Sequence, residues 1–176
     1  MSADSVQVAW RNFADALALY DLEPLAHIAR LVDGACALLL VGFDSPGVEA
    51  LAGLPLSEAR NPFVLAEIVI PARDELGLAP LSRDEAQIRA TQAMTRRWQV
   101  GVLTDRELAR WTHETVTHQG ADVLQDLVVY DDILDRIDAA SPEERSAHDD
   151  LVGIVAAVLA LPDPWANWVA GASAMD

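Results

Sequence analysis

Helix-start signals recur along this chain at a spacing that suits an all-α fold. Ser82-Arg83-Asp84-Glu85, Thr104-Asp105-Arg106-Glu107 and Ser141-Pro142-Glu143-Glu144 each set a hydroxyl three residues ahead of a glutamate. In such a capping box the hydroxyl accepts from a free first-turn N–H, and the glutamate accepts from the N–H of the cap residue. Gly101 and Gly120 stand where helices of this kind stop. The implied helices are 83–100, 105–118, 121–138 and 142–160.

The first half of the chain reads the same way. Trp10, Phe13, Ala14 and Leu17 recur at i, i+3, i+4 and i+7, one apolar face of a helix near 5–20. Pro24 suits a first helical position. The stretch from there to Val41 is apolar all round in its second half, which predicts the central buried helix. Ser45 and Pro46 open a short helix through Leu51, and residues 54–61 read as loop. Asn61-Pro62 opens a segment that Gly77 closes. Pro71 interrupts it, because the residue before a proline is pushed out of the α region. Val64, Ile68, Val69 and Ile70 within 63–70 would also suit a buried strand. Two helical pieces are the expectation, since no second strand presents itself. Pro162 and Pro164 end the last helix, leaving 162–176 as a short aromatic extension. The sum is a single globular all-α domain of seven or eight helices in an orthogonal or irregular bundle, a size usual for one domain at 176 residues.

Charge narrows the partners. There are 28 acidic and 12 basic side chains, a net charge of −16, and every basic residue is arginine. Residues 101–150 hold thirteen of the acids and four arginines, net −9. Such a chain repels phosphate backbones and anionic membranes, so neither nucleic acid nor membrane is an expected partner. A basic protein partner or a cation is favoured. The N-terminus shows no basic-then-apolar leader, and the apolar runs 35–41 and 154–161 fall short of the roughly 20 residues that span a bilayer. The expected location is cytoplasmic. Cys36, the only cysteine, lies in an apolar run and is expected to be a buried thiol.

Three groups of residues invite a chemical reading. His113-Glu114-Thr115-Val116-Thr117-His118 falls short of the zinc-protease pattern H-E-x-x-H, whose histidines share a helix face at i and i+4. Here they are five apart and diverge by roughly 140° on a regular helix, so they cannot chelate one ion from it. Asp131, Asp135 and Asp138 stack along one edge of the apolar face of 121–138, while Asp132 points away. Carboxylates rarely enter a core unpaired. Arg89, Arg96 and Arg97 are the expected partners of that ridge, and a divalent-metal site is the alternative. Hard oxygen donors would then select Mg²⁺ or Mn²⁺. Trp165 and Trp168, at i and i+3, either dock on the protein's own core or offer an apolar patch to a partner or a second copy.

No phosphate loop, nucleophile elbow or Cys/His zinc pattern occurs. The functional expectation is therefore a protein-interaction module, of inhibitor or immunity type, that binds a basic partner and needs no cofactor. The alternatives are a metal-dependent all-α hydrolase built on Asp131, Asp135 and Asp138, and a structural subunit of a larger assembly.

Overall fold

A computed structural model describes residues 3–59, 61–137 and 142–165. Among them are eight α-helices, one 3-10 turn and no strand, as an all-α chain requires. The helices are α1 (Ala3–Leu22), α2 (Pro24–Leu40), α3 (Pro46–Ala52), α4 (Pro62–Glu75), α5 (Arg83–Gln99), α6 (Asp105–Val116), α7 (Gln125–Leu134) and α8 (Pro142–Leu159). No described helix is long and apolar enough to cross a membrane. The described residues group into two compact units, one within 3–82 together with 163–165 and one within 83–162.

In the first unit α1 packs on α2, α2 on α3 and α3 on α4. The α1 stripe of Trp10, Phe13, Ala14 and Leu17 is buried as its spacing predicts. A Cβ added to Gly34 of α2 would lie 3.0 Å from the Phe13 backbone, so the missing side chain lets the two helices approach. Ser45 caps α3 by accepting from the Val48 N–H, and Asn61 caps α4 by accepting from the Phe63 N–H. Gly77 takes φ 65°, with Leu78 N–H donating to Arg73 O and Gly77 N–H to Asp74 O. That pair of bonds is a Schellman stop, and only glycine adopts its backbone angles without strain.

Three local expectations fail in this unit. Residues 63–70 are helical, and α4 runs through Pro71 in one piece rather than two. Proline removes the hydrogen bond to the carbonyl four residues back. Both Pro71 and Glu67 are exposed, so water can take the freed carbonyl. The second half of α2 is not enclosed, for Leu40 is 83% exposed. Cys36 is exposed too, with its thiol 3.7 Å from Ala52 O.

The helix expected at 83–100 is present in the second unit, and what it buries is unusual. α5 is rich in polar residues, yet Gln87, Arg89, Thr91, Gln92 and Thr95 are all buried. For its two buried glutamines, Gln87 and Gln92, hydrogen bonds explain the burial. The last carbonyls of a helix have no partner inside it. Gln92 Nε2 donates to Val158 O and Leu161 O at the end of α8, at 3.2 and 2.9 Å. Gln87 Nε2 donates to Thr115 O and Val116 O at the end of α6, at 3.3 and 3.4 Å. Thr95 and Thr112 turn their hydroxyls back to the carbonyls four residues earlier. Val116, Ala121, Leu124, Val128 and Val158 close an apolar cluster beside these bonds.

The start of α6 follows its sequence signal closely. Thr104 Oγ1 accepts from Glu107 N–H, and the Glu107 carboxylate accepts from the Thr104 backbone N–H at 2.8 Å. The Thr104 N–H foremost, and the Thr104 hydroxyl donating to the same carboxylate at 2.9 Å, hold the Glu107 carboxyl below its ordinary range.

Candidate functional site

The end of α6 decides where the histidines go. The helix was expected to run to 118, but it stops at Val116. Thr117 takes φ 60° and ψ 171°, a conformation that is nearly glycine's alone. A non-glycine residue held there costs about 1–3 kcal/mol. The surroundings must therefore enforce it. Thr117 N–H donates to His113 O at 3.1 Å, and Gln125 Nε2 donates to Thr117 O at 3.1 Å. His118 consequently leaves the helical path and returns beside His113. The two imidazoles meet edge to face, with ring centroids 4.9 Å apart. The divergence expected on a regular helix does not occur, because His118 is not on one.

α7 supplies the acids. His113 Nδ1 lies 2.9 Å from Asp131 Oδ2 and 3.9 Å from Asp132 Oδ1. His118 Nε2 lies 3.7 Å from Asp132 Oδ2. One ligand atom each from His113, His118 and Asp132 falls within 4.8 Å of the other two. Tetrahedral zinc sites, with bonds near 2.0–2.1 Å, space their donors by about 3.4 Å. Closing these three around an ion thus needs side-chain adjustments of roughly 1 Å. Asp131 has a different job. A carboxylate only accepts, so a proton on Nδ1 of His113 completes that bond and leaves Nε2 as the nitrogen that could bind an ion. Metal-binding histidines are commonly oriented by such a carboxylate. The cluster opens to solvent, with the side chain of Asp131 only 14% exposed and that of His118 56%.

The two described members of the aspartate ridge do not meet the expected arginines Arg89, Arg96 and Arg97. Asp131 faces His113, not an arginine. Asp135 sits at the C-cap of α7, mostly exposed, 4.0 Å from Arg106. Arg106 also donates to Ile137 O, which anchors the end of α7. Arg97 lies 3.9 Å from the Met94 sulfur. Asp138 lies outside the described residues. Asp132, expected to point away, is the carboxylate that lies within 4 Å of both histidines.

Trp165 is buried, and its indole N–H donates to Ala79 O at 3.2 Å. Of the two alternatives for Trp165, this is docking on its own unit. Trp168 lies outside the described residues. A second polar group joins α6 to α8. The Asp105 carboxylate accepts from Trp98 Nε1 at 2.8 Å and meets His148 Nδ1 at 2.7 Å. The His148 ring lies tilted over Trp98, with centroids 5.8 Å apart.

Comparison with known protein families, curated proteins and solved structures returns no match for this chain.

Proposed function

We propose that this protein binds a divalent transition-metal ion through His113, His118 and Asp132. The convergence of two imidazoles and a carboxylate from α6, its terminal turn and α7 carries the reading. Imidazole donors suit Zn²⁺, Cu²⁺ or Ni²⁺ better than the Mg²⁺ or Mn²⁺ that an aspartate ridge would take. Three protein donors at an exposed rim leave the ion at least one open position, the arrangement that hydrolytic zinc sites use. Hydrolysis is accordingly the activity to assay on the loaded protein. The ion displaces protons from its ligands, so its affinity falls on acidification. Calorimetric titration of chelator-treated protein with Zn²⁺ should show one ion per chain, lost in His118→Ala and in Asp132→Ala, with no heat of binding from Mg²⁺. Zinc binding unchanged in both variants would sink the proposal.

The charge distribution supports a second reading. Residues 101–150 carry net −9, and a field of that sign accelerates capture of a basic protein. A basic partner bound this way is released as salt rises. Retention that is indifferent to ionic strength would remove this reading.

A further inference from the structure

Resting on the metal reading, we propose that Gln87 and Gln125 are positioning residues for the site, holding the 117–120 turn in the form that delivers His118. The two side chains grip the turn from opposite ends of the sequence. Gln87, fully buried on α5, donates to the last two carbonyls of α6, Thr115 O and Val116 O. Its Oε1 accepts from Ala121 N–H at 2.9 Å, where the chain leaves the turn. One side chain thus fixes both ends of the segment that carries His118. Gln125, at the start of α7, donates to Thr117 O and Gly120 O at 3.1 and 3.3 Å.

Between these anchors there is no slack. A Cβ at Gly120 would lie 2.2 Å from Val116 O and 2.7 Å from Gln87 Oε1. Thr117 Oγ1 accepts from Gln119 N–H at 3.3 Å. Without the clamp, the cheaper conformation for Thr117 is helical. A helix continued to 118 would swing its imidazole roughly 140° from that of His113. The strained angle at Thr117 and the meeting of the two histidines are then one event, and the glutamines maintain both.

The test separates positioning from simple helix capping. Co²⁺ serves as the probe, because its visible spectrum reports the number and arrangement of ligands. Gln87→Met and Gln125→Met retain all three ligands and remove the clamp's hydrogen bonds. Each should bind Co²⁺ about 10–100-fold more weakly, the usual effect of losing a residue that orients a ligand. The spectrum should also shift toward that of His118→Ala. Gln125, only half-buried, carries the test if Gln87→Met does not fold. A variant that melts at lower temperature yet binds Co²⁺ with wild-type affinity and spectrum overturns the proposal, leaving the glutamines as caps alone. Failure of the wild type to bind Co²⁺ or Zn²⁺ overturns the metal reading itself, and the positioning role with it.

Discussion

Two side chains in the first unit show how burial and charge compete. Arg73 pairs with Asp21, and both are largely shielded from water. Burial raises the Asp21 carboxyl above its ordinary range, and the Arg73 charge pulls against that without winning. A carboxylate in that position depends on its partner. Arg73→Met should destabilise the protein by about 3 kcal/mol, because it strands a buried charge. Removing Asp21 as well, as Asp21→Leu with Arg73→Met, should recover most of that loss in urea unfolding. If the double variant were less stable than the single one, the pair would be contributing more than mutual compensation. His27 gives a pH dependence. Burial lowers it below its usual value of 6.5, outweighing the hydrogen bond to Glu23. The unfolded chain then takes up a proton that the folded one resists. Stability is retained above the unfolded value and lost as pH falls from about 6.5 toward the folded one. Urea midpoints measured at pH 7.5, 6.5 and 5.5 should fall in the wild type and fall less in His27→Gln. Parallel slopes would assign the acid sensitivity to other groups.

At the scale of elements, the surface capping box at Thr104 and the buried glutamine caps differ in what water can repair. Thr104→Ala exposes a first-turn N–H that solvent reaches, a loss of about 1 kcal/mol. Gln92→Leu takes the donor from Val158 O and Leu161 O inside the unit, which should cost about 1–3 kcal/mol. Amides in the last turn of α8 should also exchange faster in that variant, and those of α1 should not. Equal destabilisation by the two substitutions would show that water reaches the end of α8. The contrast explains what was legible in the sequence. Helix starts are local: a hydroxyl, a glutamate or proline and an apolar stripe suffice, and Ser45, Asn61 and Thr104 act as they read. The glycine stop at Gly77 is as local as a start, but the end of α6, and burial, are set by other elements. Nothing in residues 105–120 announces a stop at Val116, because the groups that hold it are Gln87, 29 residues earlier, and Gln125. The burial of Gln87 and Gln92 is not legible for the same reason, since their partners are carbonyls of distant helices. The candidate site was half legible. Its acidic helix is legible, but the angle that parts His113 from His118 holds only on an unbroken helix, and nothing local to α7 places Asp132 beside them.

At the scale of the whole molecule, one field should produce two opposite salt responses. The chain carries −16, with −9 inside residues 101–150, the stretch that holds His113, His118 and Asp132. Like charges brought together on folding repel, so the net charge weakens the folded state when little salt is present. The same field concentrates a divalent cation at the site. Screening acts on both, since the Debye length shrinks from about 30 Å at 0.01 M to about 3 Å at 1 M. Raising sodium chloride from 0.01 to 0.5 M should therefore increase the Tm of the chelator-treated protein by a few degrees. Over the same range it should weaken Zn²⁺ binding several-fold, measured by competition with a chromophoric chelator corrected for its own salt dependence. Neutralising neighbours that hold no ligand, as in Asp122→Asn with Asp126→Asn, should flatten both responses without abolishing binding. An affinity that rises with salt while Tm also rises would mean that the ion answers to packing of the turn rather than to the field, and that acidity and metal binding are separate properties of this fold.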